Sequence, residues 1–513
     1  MRSPITKIDF ITRKNGSNKG NERLLIIHYP LLILLSCWAI AHKLGINKID
    51  TSWLLPLLVG GVVWLLPSPT GVSQQGWHLL AVFLTTIAGF ITKPLPLGAI
   101  ALIAMTTLVT TNTLTIEQGL SGFSHQTAWL TVSSFLIARA TIKTGLGTRF
   151  AYLFITLFGK SSLTLSYGLS LADLILSPVM PSGNARSGGV IFPIAKSLAT
   201  AYDSEPEDGT QRRLGAFLMT TAYQSTQITT ALFLTAMVAN PLIAQLAFEI
   251  AQVELDWVTW AKAASLPGII SLLVMPSIVY RLYPPEIRST PQAAKIARQK
   301  LQQMGAMKQT EWSMVAVFIV LLCLWGWGDL WGVKSVTTSL IGIVLLLLTG
   351  VLTWQDIVRE QKAWNIFIWF SILLMMATFL NQFGSIDWIG FVVGNAVQNL
   401  WWQWAFLCLS LVYFYSNYFF ASKAARVSAM YPAFLTVAIS LGTPPMYAVL
   451  VLAFLINLSG CLTHYGTAVA PIYFGAGYVD AASWCKIGFV LSLAYLFIWI
   501  AIGGWWWQIL GLT

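Results

Sequence analysis

Long apolar segments recur along most of this chain, and they restrict what it can fold into more than any other feature. A helix that crosses a bilayer needs about 20 mostly apolar residues, and stretches such as 217–236, 260–280 and 487–506 meet this length. Pieces such as 171–180 and 190–199 are shorter, which indicates broken or re-entrant segments. The pattern predicts an all-α polytopic membrane protein with about 11 to 12 transmembrane helices and about two re-entrant hairpins.

Charged residues are scarce, since they make up 10% of the 513 residues against about 25% in an ordinary soluble domain. This scarcity excludes a soluble globule of the same size. The net charge of +11 raises the question of nucleic acid. However, much of the excess lies in two hydrophilic segments, 1–23 and 284–311, which border apolar runs. We therefore expect no nucleic-acid partner, and we expect the lipid bilayer as the surroundings.

The two basic segments also predict how the chain is organised. Lys- and Arg-rich loops remain on the cytoplasmic side of a membrane. The expected order is a cytoplasmic basic tail at 1–23, N-terminal helices with a first repeat at 24–283, a cytoplasmic loop at 284–311 and a second repeat at 312–513. The cysteines and histidines show neither CxxC nor metal-ligand spacing, so no disulfide and no metal site is predicted from them.

An internal repeat connects the two halves. The pattern S-x-x-A-R occurs at 182–186 and at 422–426, an offset of 240. Moving 42 residues on from each serine reaches Gln224 and His464. A further match at an offset of 239 pairs Ala138 and Gly145 with Ala377 and Gly384. Matches in the same order favour the inverted repeats common in transporters, although small residues also recur by chance at helix contacts in any membrane bundle.

Both S-x-x-A-R segments interrupt apolar stretches, and such breaks predict a site for anions. A break exposes backbone N–H groups at a half-helix N-terminus, where the helix dipole attracts negative charge. Arg186, Lys423 and Arg426 add cations, which at membrane depth are rare unless functional or paired. The alternatives are that an arginine reaches the membrane surface or pairs with Asp173, and that Lys423 points away to a headgroup or a carbonyl.

Four segments resemble the divalent anion/sodium symporter family. They are PSGNARSGGVIFPIAKSLA at 181–199, ANPLI at 239–243, FFASKAARVSAMYPAFL at 419–435 and GCLTHYGTAVAPIYFGAGYV at 460–479. The similarity is strongest to the branch of citrate/succinate antiporters and 2-oxoglutarate/malate translocators. It implies a homodimer in which a scaffold domain stays still while a transport domain moves like an elevator. It also implies two re-entrant hairpins, each followed by a Ser-Asn-Thr loop that binds carboxylates and sodium.

This chain matches the Ser-Asn-Thr pattern of the family only in part. The first loop corresponds to Ser182-Gly183-Asn184 and the second to Ser422-Lys423-Ala424, in which the serines alone match. Gly, Lys and Ala side chains offer no oxygen to a cation, so the sodium sites are in doubt. No cofactor is predicted, and sodium is the one ion left open.

The resemblance also places the hairpins and the rest of the site. It implies that the hairpins begin near 124–127 and near Asn365, run past Gly145 and Gly384, and are backed by 224–230 and 463–467. The predicted substrate-binding residues are Ser182, Gly183, Asn184, Ser422, Lys423, Ala424 and Thr467. The predicted ion-binding or charge-compensating residues are Lys423, Arg426, Arg186, Gln126, Asn365 and Thr229.

These features together predict a secondary transporter. We expect an exchanger of C4 to C6 di- or tricarboxylates in a plasma (inner) membrane, with a cytoplasmic N-terminus. Sodium-coupled uptake of dicarboxylate or sulfate is the alternative within the class, and an enzyme or sensor on the same scaffold is a remote one. Ser422 with His464 lacks an activating acid, so no enzyme is predicted.

Because both basic segments are expected in the cytoplasm, positions 17 and 302 should be protected from outside reagents. We expect no labelling when Ser17 or Gln302 is replaced by cysteine, in a chain without its native cysteines, and intact cells meet a membrane-impermeant maleimide. Permeabilised cells supply the control, since both positions should then react. Labelling of either position in intact cells would contradict the topology.

Overall fold

The computed structural model describes residues 51–385, 388, 401–420 and 423–513, and this part of the chain is built from helices. The basic tail, the first apolar segment and Ser422 lie outside the described residues. Before the middle of the chain the helices are Leu54–Leu65, Gln74–Thr92, Leu97–Thr110, Ile116–Leu120, Gln126–Thr144, Leu146–Phe158, Ser162–Leu176, Asn184–Ile191, Phe192–Ala201, Gly215–Leu232, Ala239–Ala251 and Trp257–Leu282. After it they are Pro291–Met304, Gln309–Trp327, Ser335–Leu348, Trp354–Arg359, Gln361–Gln382, Trp402–Tyr415, Lys423–Ser440, Pro445–Leu458, Ala470–Phe474, Ala481–Phe497, Ile498–Ile502 and Gly503–Ile509.

Many of these helices are apolar enough for a membrane. Within the described part, five are long and apolar enough to cross a bilayer by length and composition alone: Gln74–Thr92, Trp257–Leu282, Gln309–Trp327, Gln361–Gln382 and Ala481–Ile509. Others are apolar but shorter, and several of these, such as Leu97–Thr110 and Ser335–Leu348, lie where the sequence predicts full-length spans. The chain is therefore an all-α multi-pass membrane protein.

Two helical hairpins have arms too short to cross the membrane independently. The first hairpin comprises Ser162–Leu176 and the helical residues 184–201, and the second comprises Trp402–Tyr415 and Lys423–Ser440. The leading arms have 15 and 14 residues, which at 1.5 Å per residue is about 22 Å, against a hydrocarbon core of about 30 Å. These dimensions fit re-entrant segments, with the S-x-x-A-R segments at the turns.

The sequence placed the two hairpins wrongly. The segments near 124–127 and Asn365 begin instead the helices Gln126–Thr144 and Gln361–Gln382, of 19 and 22 residues. Gly145 and Gly384 are not hairpin tips: each has φ +76° and turns the chain at or just beyond the end of its helix. This left-handed backbone suits glycine, and its recurrence 239 residues apart supports the repeat.

A broken helix follows each hairpin. The first broken helix consists of Gly215–Leu232 and Ala239–Ala251, and the second of Pro445–Leu458 and Ala470–Phe474. The sequence match of Gln224 with His464 does not hold, because Gln224 lies within a helix and His464 lies beyond one. The connection at 202–214 is longer than its counterpart at 441–444, and this shifts the register after the hairpins.

The hydrophilic segment 284–311 is tied to the membrane helices. Its helix Pro291–Met304 packs on Leu146–Phe158. Arg149 donates from Nε to Glu311 Oε1 at 2.7 Å, from Nη2 to Glu311 Oε2 at 3.1 Å and from Nη1 to Gly305 O at 3.0 Å. A bidentate contact of this kind is rigid, so the segment has a defined place beside the first hairpin.

A second ion pair fixes the short helix Trp354–Arg359. Lys143 Nζ donates to Asp356 Oδ2 at 2.6 Å. This hydrogen bond holds the pKa of Asp356 well below its usual range, with help from the backbone N–H of Thr353. The carboxylate therefore stays ionised at neutral pH and keeps the short helix against the end of Gln126–Thr144.

The tryptophans at the C-terminal end divide into two groups. Trp505 is 58% exposed, as expected of a residue at the bilayer interface. Trp506 and Trp507 instead donate from Nε1 to Lys262 O and Ala263 O, both at 2.9 Å, and Trp507 is fully buried. Trp507 therefore packs inside the helix bundle, whereas Trp505 is exposed.

Candidate substrate site

Arg186 joins the first hairpin to the break in the first broken helix. Its side chain is fully buried, and Nε donates to Asp173 Oδ1 at 2.9 Å. Nη1 donates to Met180 O at 2.5 Å and to Ala236 O at 3.3 Å, while Nη2 reaches Thr229 Oγ1 at 3.2 Å. The hydroxyl of Thr229 in turn donates to Asp173 Oδ2. Every one of these groups belongs to the first half.

These contacts engage Arg186 and Thr229, two residues of the predicted charge-compensating set, within the protein itself. The carboxylate of Asp173 neutralises the guanidinium of Arg186. Pairing of an arginine with Asp173 was one of the alternatives that the sequence left open. The pair holds the hairpin loop and the helix break together. Neither group of the pair has a free charge to offer a ligand.

Arg426 occupies the corresponding place in the second hairpin without a carboxylate. It is fully buried, and Nη1 donates to Ser459 Oγ and, at 3.3 Å, to Asn417 Oδ1. Nη2 donates to the backbone oxygens of Tyr413 and, at 3.4 Å, Phe414. The guanidinium carbon also lies 5.0 Å from the centre of the Tyr413 ring. All these acceptors are neutral, so among the described residues the charge has no counterion.

The repeat explains this difference between the halves. Tyr413 stands 240 residues after Asp173, just as Arg426 stands 240 residues after Arg186. Both arginines brace a hairpin loop against the following broken helix, but the second half has a phenol where the first has a carboxylate. The second half therefore retains one buried positive charge more than the first.

Lys423 links the two halves. Its Nζ donates to Gln227 Oε1 at 2.9 Å, in the first broken helix, and to Asn457 O at 2.7 Å, in the second. It thus points between the broken helices and does not extend to a headgroup, although one of its acceptors is a carbonyl. An ammonium has three hydrogens, and these two bonds leave one for a ligand.

Small residues let the two halves approach closely around this lysine. A Cβ on Gly183 would lie 3.1 Å from Val469 Cγ2 and 3.7 Å from Thr226 Cγ2. Gly460 lies against the side chains of Gln227 and Thr467. The first loop therefore meets the break of the second broken helix.

A buried hydrogen-bond network lines the same junction. Tyr223 OH donates to Gly460 O at 2.5 Å and lies 3.3 Å from Thr467 Oγ1. Thr226 Oγ1 donates to Ser187 Oγ at 2.6 Å, and Ser187 Oγ lies 2.8 Å from the hydroxyl of Tyr473. A buried network of polar groups makes a site rigid when its members have hydrogen-bond partners.

The structure brings most of the predicted substrate residues to this junction. Ser182 Oγ accepts from the backbone N–H of Ala185 at 3.3 Å, which stabilises the start of the second arm. The site region contains Ser182, Gly183, Asn184, Lys423, Ala424 and Thr467, whereas Ser422 lies outside the described residues. Gln126 and Asn365 are exposed and lie near the starts of the helices Gln126–Thr144 and Gln361–Gln382, so their part in the site stays a prediction.

Several residues of the junction were not among the predicted site residues, including Tyr223, Gln227, Asn457 and Tyr473. Gln227 falls in the polar run 224–230, which the resemblance had placed behind the site. Asn457 interrupts an otherwise apolar helix, and such a polar residue was the available signal. In the part of the chain described here, no three His, Cys, Asp or Glu side chains form a group that could hold a metal ion.

Comparison with known proteins identifies the family. The model of the sodium:sulfate symporter transmembrane region matches residues 23–513. The chain therefore belongs to the divalent anion/sodium symporter family, which consists of transporters and not enzymes.

Named relatives align over nearly the whole chain. The chain is 51% identical to YflS of Bacillus subtilis, with 90% of this chain and 97% of that protein covered. It is 47% identical to the chloroplastic dicarboxylate transporter 1 of Spinacia oleracea, with 90% and 81% covered. It is 33% identical to the citrate/succinate antiporter of Escherichia coli, with 90% and 99% covered.

Asp173→Asn should destabilise the protein strongly, because it leaves Arg186 buried without an anion. Breaking a buried ion pair in this way costs about 3 kcal/mol or more. Thermal unfolding in mild detergent measures the loss, and the double variant Asp173→Asn with Arg186→Met should recover part of it.

Asp203→Asn is the matched control. It removes the partner of Arg213 at 3.8 Å, but Asp203 is 86% exposed, so the effect should be small. Equal stability of Asp173→Asn and the wild type would show that the buried pair does not hold the first loop.

Proposed function

We propose that this protein exchanges small di- and tricarboxylates across the membrane, in the class of malate, 2-oxoglutarate, succinate and citrate. The named substrates of the chloroplastic and Escherichia coli relatives support this class. The observation that contributes most from the structure is a pair of cations in the second half: Lys423, which joins the two halves, and Arg426, which has no counterion among the described residues.

The charges at the junction suit a dianion. Lys423 and Arg426 contribute two positive charges, and the contacts described for them are all to neutral oxygens. Asp173 is already neutralised by Arg186. Transferring a dianion into a low-dielectric site costs several kcal/mol per charge unless cations offset it, and two fixed cations supply that offset.

Lys423 takes the part that a sodium ion plays in the family pattern. It stands at the middle position of the second loop, where the pattern has a polar residue beside an ion. Its ammonium is part of the protein, so it cannot leave when the substrate leaves. An empty site would return across the membrane with an uncompensated charge, and this favours obligatory exchange over net uptake.

The resemblance and the charge pattern support further features of the carrier. We propose a homodimer in a plasma membrane, with the N-terminus and the segment 284–311 in the cytoplasm. We also propose that the two hairpins and broken helices move together against the remaining helices, as in an elevator. A monomer by mass measurement in mild detergent, still active after reconstitution, would contradict the dimer.

Removal of the ammonium tests the role of Lys423. Wild-type proteoliposomes loaded with malate should take up labelled malate or 2-oxoglutarate without sodium, and Lys423→Ala and Lys423→Thr should lose this exchange. Lys196→Ala is the control, because Lys196 is an exposed lysine on the first hairpin. Normal exchange by the Ala variant, or a steep sodium requirement in the wild type, would contradict the proposal, and sodium-dependent sulfate uptake would favour the alternative.

A large side chain in the first loop should block the substrate site. Ser182→Leu places a large side chain beside Gly183, where the loop approaches Val469, so it should abolish exchange while the protein stays folded. Ser121→Leu, at an exposed serine outside the site, should exchange normally. Wild-type rates in Ser182→Leu would remove this loop from the substrate site.

A further inference from the structure

A buried acid lies apart from the substrate site, near the end of the first broken helix. Glu249 is 8% exposed, and its Oε2 has no hydrogen-bond partner among the described residues. Its Oε1 lies 2.9 Å from Gln245 Nε2 and 2.7 Å from Thr378 Oγ1. The carboxyl therefore contacts neutral groups and faces a different helix, Gln361–Gln382, through Thr378.

The charged groups on the neighbouring elements are engaged elsewhere. On Gln126–Thr144, Arg139 and Lys143 pair with Glu360 and Asp356. On Gln361–Gln382, Lys362 is 16 positions from Thr378, which corresponds to about 24 Å along the helix. The remaining titratable groups on the packed helices make contacts away from Glu249. Lys423 and Arg426 lie at the substrate site, Tyr431 contacts Val449 O, and Tyr447 contacts Ile500 O. His125, at the start of Gln126–Thr144, accepts at Nδ1 from the backbone N–H of Thr127 at 3.3 Å. Within the described chain, no cation neutralises Glu249.

The hydrogens around Thr378 show which form of the acid fits. The hydroxyl of Thr378 lies 2.7 Å from Glu249 Oε1 and 3.1 Å from Leu374 O, yet it has one hydrogen. If the carboxyl is protonated, it donates to Thr378, and Thr378 donates to Leu374 O. An ionised carboxylate would compete with Leu374 for that hydrogen and would remain a buried charge without a cation, which is costly.

The same position joins two helices through the backbone. Asn381 Nδ2 donates to Glu249 O at 2.8 Å, so Thr378 and Asn381 bind both the side chain and the main chain of one residue. The first broken helix contributes its break to the Arg186 network. Any movement of this helix relative to Gln361–Gln382 would have to break the Glu249 contact.

We propose that Glu249 is a proton-binding site, whose bound proton holds the first broken helix against helix Gln361–Gln382. The proton lies between Glu249 and Thr378 in the packed state. When the contact opens, water reaches the carboxyl and accepts the proton, and the resulting carboxylate does not repack until it is protonated again. Protonation therefore favours the packed state, and exchange slows as the pH falls.

Glu249→Gln tests the inference, since an amide mimics the neutral acid and can donate to Thr378. We expect the wild type to show the infrared carbonyl band of a protonated carboxyl at neutral pH, and Glu249→Gln to lose it. Malate exchange should accelerate in the wild type as the pH rises above neutral, where small dicarboxylates stay ionised. In Glu249→Gln the exchange should lose this pH dependence and remain at the acidic wild-type rate.

Glu254→Gln is the matched control, because Glu254 is an exposed acid just beyond the same helix and should retain both the band and the pH dependence. A band that persists in Glu249→Gln, or an unchanged pH profile, would overturn the inference. If Glu249→Gln does not fold, Thr378→Val replaces it, because it removes the hydroxyl that contacts the carboxyl and should therefore shift the pH at which the band disappears; an unchanged titration would also overturn the inference. The exchange measurement rests on the proposed function, whereas the infrared measurement does not. If the wild type does not exchange malate, the infrared band alone tests whether Glu249 holds a proton.

Discussion

A charged group buried in a membrane protein must be satisfied by the protein itself, and the architecture around the two hairpins depends on this constraint. Arg186 meets it by bonding the carboxylate of Asp173, the hairpin loop at Met180 and the helix break at Ala236. One side chain thereby supplies donors to backbone carbonyls that helix breaks leave unpaired. Without such donors, the irregular backbone of the loop and the break would be too costly at membrane depth.

The second half solves the same problem differently, and the difference creates the chemistry of the site. Arg426 bonds the backbone oxygens of Tyr413 and Phe414 and the hydroxyl of Ser459, but it packs over the ring of Tyr413 where the first half has a carboxylate. The repeat therefore preserves the bracing and changes the charge. Together with Lys423, this asymmetry concentrates positive charge on one side of the junction, which a symmetric pair of ion pairs would not do.

Glu249 is subject to the same constraint on buried charge, but its charge would be negative. It is an acid without a described counterion, and a proton is the smallest cation that can neutralise it. Its neighbours Gln245 and Thr378 offer polar atoms but no charge. Lys423 and Arg426 hold positive charge for an anion, whereas the Glu249 contact holds a proton. No described hydrogen bond or ion pair joins Glu249 to Lys423 or Arg426, so the two sites can respond to different conditions.

The sequence by itself determined the class of protein, because apolar length and the scarcity of charge leave a helical bundle in a bilayer as the stable arrangement. It also identified the two S-x-x-A-R segments and Lys423, since cations within apolar stretches are expensive enough to stand out. It could not locate the hairpins: the glycines at 145 and 384 recur in register, but a left-handed glycine ends a straight helix as readily as it turns a hairpin. Only the tertiary structure decided that Arg186 is neutralised and Arg426 is not, because this depends on which side chain, Asp173 or Tyr413, lies one hairpin arm away.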